Sequence, residues 1–148
     1  MAMTMNGEVQ LAAPREVVWA KLNDAEVLKQ CIPGCEELNK TSETEFQAVA
    51  TIKIGPVKAK FKGRVNLSDM DPPNGYKISG EGEGGVAGFA KGGAVVALAD
   101  QDGGTLLTYN VEAQIGGKLA QLGQRLINGS AKKLADEFFA NFAKAVQG

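Results

Sequence analysis

Val57-Lys58-Ala59-Lys60-Phe61-Lys62-Gly63-Arg64-Val65-Asn66-Leu67 alternates without a break. The odd positions are apolar or small, and the even ones are Lys, Arg or Asn. A period of two with one greasy side is the pattern of a strand packed on one face and wet on the other. The run before it follows the same rule: Phe46, Ala48, Ala50, Ile52 and Ile54 alternate with Gln47, Val49, Thr51 and Lys53. Gly55-Pro56 between the two runs predicts a turn.

Downstream, Asp71-Pro72-Pro73-Asn74-Gly75 reads as a loop. Tyr76 to Glu83 resumes the alternation, with Tyr76 and Ile78 inward. Ala94 to Asp100 and Thr105 to Ile115 predict a hairpin across Asp102-Gly103-Gly104, with Leu107, Tyr109, Val111 and Ala113 on one side. Upstream, Met5 to Leu11 reads as a short strand. Pro14 suits the first position of a helix carrying Val18, Trp19 and Leu22. Asp24 caps a second short helix with Val27, Leu28 and Cys31. Pro33-Gly34 ends it with the chemistry of a type II turn. From Lys118 to Val146 the period becomes helical, with Leu119, Leu122, Leu126, Ile127, Leu134, Phe138 and Phe142 on one face. The expected class is therefore α+β, one domain over residues 1–148: a curved antiparallel sheet of about six to seven strands around one long C-terminal helix, with two short helices after the first strand.

Composition narrows the function. The 148 residues can hold a real core, and the net charge of −1 argues against a general electrostatic grip on nucleic acid. Histidine is absent, which removes every triad, base or metal site that needs one. The ends show no secretory signal pattern, and the longest apolar run, Ala94 to Ala99, is far short of the ~20 residues a bilayer span needs; a cytoplasmic protein is expected. Cys31 and Cys35 cannot make a four-ligand zinc site. They read as two small buried hydrophobes or, alternatively, as a disulfide or thiol switch. Asp69, Asp71, Asp100 and Asp102 lie near turns, where Asp is ordinary, and no acid–base pair is evident.

Two surfaces stand out. Gly123, Gly129, Ser130 and Ala131 in the helix oppose small strand residues (Ala48, Ala50, Ala59, Gly63, Ala113). This arrangement either leaves an apolar cavity or allows close packing. Ile52, Phe61, Tyr76, Ile78, Leu98, Leu107, Tyr109, Leu126 and Ile127 would line such a cavity, with Tyr109 or Ser130 offering an orienting hydroxyl. The glycine-rich Gly80–Gly93 segment would be a mobile connection unless packed, with Phe89 as a gate. Its G-x-G-x-x-G at Gly80, Gly82 and Gly85 is rejected as a dinucleotide site, because no helical pattern follows and Glu81 and Glu83 would repel a pyrophosphate. The second surface is the row Lys58, Lys60, Lys62 and Arg64. It is either a docking face for an anionic membrane or acidic partner, or a solvated face balanced by Glu43, Glu45, Glu81 and Glu83.

Trp19-x-x-Leu22-x-Asp24-x-Glu26-x-Leu28-x-x-Cys31-Ile32-Pro33-Gly34-Cys35-Glu36 resembles the N-terminal signature of the CoxG family, named for the G subunit of carbon monoxide dehydrogenase. Ile54-Gly55-Pro56-Val57, Phe61-x-Gly63 and Gly116-Gly117-Lys118-Leu119-x-x-Leu122-Gly123 are similar to later blocks of that family. The resemblance runs from Met5 to Val146. It implies the helix-grip fold of the START-like, Bet v 1-like (SRPBCC) superfamily, with an internal hydrophobic cavity. It also implies a non-enzymatic role beside a molybdenum-containing hydroxylase of the carbon monoxide dehydrogenase type, in membrane recruitment and in handling a quinone or lipid-like cargo. No cofactor beyond that cargo is expected. Many relatives carry a C-terminal extension, whereas this chain stops at Gly148, so permanent anchoring through it is not expected.

Overall fold

The computed structural model of the chain describes residues 1–147. The elements run β1 (Ala2–Leu11), α1 (Arg15–Leu22), α2 (Ala25–Cys31), β2 (Cys35–Ser42), β3 (Glu45–Ile54), β4 (Val57–Asp71), β5 (Gly75–Glu83), β6 (Phe89–Gln101), β7 (Gly104–Gly116), α3 (Lys118–Gln121) and α4 (Gln124–Gln147). Seven antiparallel strands form one open sheet in the order β1-β7-β6-β5-β4-β3-β2. This is the expected α+β helix-grip arrangement, with six strands after the two short helices.

Local chemistry explains the short elements. The Asp24 carboxylate accepts from the N–H groups of Glu26 (2.9 Å) and Val27 (3.4 Å), which caps α2. Cys35 N–H donates to Ile32 C=O at 3.2 Å, and Gly34 sits at φ +75° between them. That is the type II turn expected of Pro33-Gly34. A side chain at Gly34 would run into the Thr51 carbonyl of β3, so the turn is pressed against the sheet.

Three expectations need correction. β1 begins at Ala2 rather than Met5, because Met3 pairs with Ala113 and is buried. The last helix is two helices. Gly123 adopts φ +91°, which no right-handed helix contains, and an apolar period carried across the break conceals it in the sequence. The Gly80–Gly93 segment is not a mobile connection. Its ends are paired strand, Gly80 opposite Gly92 and Glu83 opposite Phe89, and only a short 3-10 turn at Gly85–Ala87 joins them.

The interior falls into two clusters. One gathers Leu11, Val18, Leu22, Cys31, Leu67, Tyr76, Leu107 and Phe142 beneath α1, α2 and the C-terminal half of α4. The other gathers Met3, Ile115, Leu119 and Ile127 at the opposite end. Phe142 is fully buried and stacks on Phe138, ring centroids 5.8 Å apart. Asn141 Nδ2 donates to the Cys31 carbonyl at 3.1 Å, tying α4 to the end of α2. Thr105 Oγ1, also fully buried, donates to the Ala13 carbonyl at 2.7 Å and ties β7 to the turn before α1.

Urea unfolding should separate two changes in α4. Phe142→Ala is expected to cost about 3–5 kcal/mol, as large-to-small changes at filled sites do. Gly129→Ala, at an exposed helical position with nothing near the added methyl, is expected to stabilise by about 0.5–1 kcal/mol.

Candidate functional site

The strand register decides what the concave face looks like. Reading across the sheet, Ala113, Gly92, Gly80 and Val65 are neighbours, and beside them run Ile115, Ala90, Gly82, Gly63 and Ala48. The glycine-rich sequence thus places a patch of minimal side chains on the inner face, beneath the middle of α4. A Cβ at Gly92 would run into the Glu112 carbonyl, whereas one at Gly82 would meet nothing closer than 3.8 Å. Of the small helix residues, Gly129 faces solvent and Gly123 marks the break. Ala131 is the one packed inward, beside the second cluster.

Small residues thus stand on both walls in the middle of the molecule. Inward-pointing Ile52, Ala59, Phe61, Ile78, Tyr109 and Val111 all keep accessible surface, although the outward residues between them mark these as the covered face. Ile78 and Tyr109 pack against the first core cluster, and Phe61 and Val111 against the second. α4 is flanked by open crevices on both sides. One, of about 390 Å³, runs between β3 and α4 past Thr51, Ile52, Ser130 and Leu134. The other, of about 470 Å³, runs between β1 and α4 past Met5, Val9, Tyr109 and Phe139.

The expected lining residues divide accordingly. Ile52 and Ser130 line the crevice between β3 and α4, Tyr109 lines the one between β1 and α4, and Phe61 and Ile78 are half-buried on the covered face. Tyr109 stacks on Phe139 of α4 at 5.0 Å and lies across Gly7, whose absent Cβ would sit 2.5 Å from the phenol oxygen. Tyr76, Leu98 and Leu107 belong instead to the filled core; Leu107 has no accessible surface, and Tyr76 packs edge-on against Trp19 at 5.3 Å. Ile127 is likewise buried in the second cluster. Leu126 points outward and rests on Gly55 of the β3–β4 hairpin. Phe89 is not a gate on a loop; it opens β6, with its half-exposed ring over Gly116. Gly123 lines nothing and acts as the hinge between α3 and α4. Sequence reasoning misses Met5, Val9 and Phe139. Nothing in the short β1 run shows which helix it lies beside, and Phe139 neighbours the Phe138 that marks the apolar face.

The outer face is charge-balanced. Lys60 lies 3.7 Å from Glu36 and Arg64 3.6 Å from Glu45, and the register sets Arg64 opposite Glu81 and Lys62 opposite Glu83. Lys58 differs, because its cross-strand partner is Lys53. Of the 17 acidic residues, all are exposed except the half-buried Glu45, so no carboxylate pair is assembled inside. No group of metal-ligating side chains occurs among the described residues, nor any helix long and apolar enough to cross a membrane. Both cysteines are free, Cys31 buried and Cys35 half-buried, and burial pushes both thiols above their ordinary value.

The family model for the G subunit of carbon monoxide dehydrogenase (CoxG) matches residues 7–147. The chain belongs to the CoxG family. A conserved protein from Geobacillus kaustophilus is 38% identical with a TM-score of 0.92, over 98% of this chain and 95% of that one. Zhui aromatase/cyclase from Streptomyces sp. R1128 (12% identity, TM-score 0.73, 99% and 94% covered) and Ara h 8.0201 (14%, 0.68, 99% and 99%) share the fold. No curated protein matches the chain. Within this CoxG member the N-terminal signature performs identifiable work: Trp19 packs on Tyr76, Asp24 caps α2, Cys31 fills the core, and Pro33-Gly34 braces β3.

Burial raises the Tyr76 phenol well above its ordinary range. The unfolded chain ionises it near pH 10. Stability should therefore be unaffected by this group below about pH 10 and fall above it, by up to about 1.4 kcal/mol per pH unit. Denaturation at pH 8 and pH 11 checks this, and Tyr76→Phe should flatten the decline.

Proposed function

We propose that this CoxG member is a non-catalytic carrier of an apolar cargo, a quinone or lipid-like molecule, for a molybdenum hydroxylase of the carbon monoxide dehydrogenase type. One observation carries the reading: the small-residue patch of β4–β7 faces Ala131 of α4, and the apolar side chains around it keep accessible surface between two filled clusters. Family membership supports the accessory role, and the exposed position of nearly every carboxylate supports binding over acid–base catalysis. An apolar tail costs about 0.8 kcal/mol per CH₂ in water, and an underfilled apolar interior offsets that cost. The crevice between β3 and α4, closed at one end by Leu126 on Gly55, is the route in.

The same end suits an anionic bilayer. Segments 53–59, 84–89 and 117–126 hold Lys53, Lys58, Lys118 and Arg125 and no carboxylate. Val86 (84% exposed) and Leu126 (38%) are apolar tips among them, the pairing of basic charge with exposed grease that favours a membrane interface. The basic sheet face as a whole serves recruitment less well, since Lys60, Lys62 and Arg64 have carboxylates beside them.

Native mass spectrometry of purified protein mixed with quinone-loaded liposomes tests the reading. The wild-type chain is expected to take up one quinone. Ala131→Phe, which fills the gap with a ring, should weaken uptake by about tenfold or more, and Leu126→Ala should speed exchange. Val95→Ser on the outer face should change nothing. No uptake of quinone or lipid by the wild-type chain, or full uptake by Ala131→Phe, would sink the proposal.

A further inference from the structure

The two edges of the sheet are built differently. β2 slips register twice, between Cys35 and Glu37 and between Lys40 and Ser42, and it carries Glu36, Glu37 and Lys40. Bulges and charges are how proteins keep an edge from pairing with another chain. β1 has no bulge and little charge. Its ten residues pair with β7 in unbroken register, without proline or lysine, and Glu8 is its single charge.

The unpaired groups of β1 can be assigned. Met1 N donates to the Ile115 carbonyl at 2.9 Å and Ile115 N to the Met1 carbonyl at 2.7 Å. The alternation of an antiparallel ladder then makes Met3, Met5, Gly7 and Val9 the residues bonded to β7. Ala2, Thr4, Asn6, Glu8 and Gln10 aim their N–H and C=O groups at the open edge, and all five side chains are exposed. α4 does not cover this edge. The crevice of about 470 Å³ runs along Met5–Val9, with Phe139, Ala140 and Ala143 as its far wall.

We propose that β1 pairs with β1 of a second copy of this chain, antiparallel about a two-fold axis through Asn6. In that register Asn6 faces Asn6, Thr4 faces Glu8 and Ala2 faces Gln10. Every free N–H meets a free carbonyl. Glu8 finds a hydroxyl rather than its own kind, so no like charges oppose. The Asn6 amide, donor and acceptor at once, is its own complement. The edge is thus self-complementary, as an isologous interface must be, and the two sheets become one. The pairing leaves the β3–α4 route untouched and does not depend on what the interior carries.

Light scattering on the eluting protein should give the mass of two chains, about twice 15.5 kDa. Asn6→Pro, which removes an N–H that β7 does not use, should give one chain with an unchanged circular dichroism spectrum. If that variant fails to fold, oxidative cross-linking decides. Hydrogen-bonded antiparallel partners stand about 5.5 Å apart at Cα, within disulfide reach. Asn6→Cys should therefore link to itself. Thr4→Cys should not, but should link when mixed with Glu8→Cys. A wild-type chain that stays single at every concentration overturns the proposal, and so does self-linking by Thr4→Cys. A single chain that takes an extended peptide along β1 also overturns it and gives the edge to a foreign strand.

Discussion

α4 is the longest of the helices over the concave face of the sheet, and its large side chains sit mainly at its ends. α4 is the one element among the described residues long enough to span seven strands. Its large side chains, Phe138, Phe139 and Phe142, crowd the C-terminal half, and Ile127 anchors the other end. Between them Ala131 faces strands whose inward residues are mostly glycine and alanine. Close packing is tightest where the side chains are large.

The curvature of the sheet draws on the same small residues. A strand with glycine on its inner face can bend toward the helix without a side chain in the way, and at Gly92 the Glu112 carbonyl comes close enough to take the place of a Cβ. The ordering cost of so many glycines is offset by a ladder that holds nine of the fourteen residues of Gly80–Gly93 in register. Here flexibility of composition does not become flexibility of structure.

Much of the fold was legible because alternation and helical period are local. Lys58 to Asn66 announces its wet face residue by residue, and Asp24 and Pro33-Gly34 announce a cap and a turn. What was not legible depended on partners far along the chain. The break at Gly123 hides inside an uninterrupted apolar period, since backbone handedness leaves no trace in hydropathy. Strand pairing for Gly80–Gly93 requires β4 and β6 on either side, which composition cannot display. The site shows the same divide. Alternation correctly turns Ile52, Phe61, Ile78 and Tyr109 inward, but it cannot separate a half-buried residue from one such as Leu107 in a filled core. That distinction lies in the size of the neighbour across the sheet.

Three aromatic rings each lie flat on a glycine of an adjoining segment: Tyr109 on Gly7, Phe61 on Gly84 and Phe89 on Gly116. Each pair behaves as one unit of shape, a plate and its seat. Because the seat has no depth to spare, its occupant cannot change alone. A methyl at the glycine evicts the ring, and a smaller side chain at the ring exposes bare backbone. The sheet's tolerance of substitution is thus set pairwise across strands, and drift at these positions must proceed in coordinated steps or not at all.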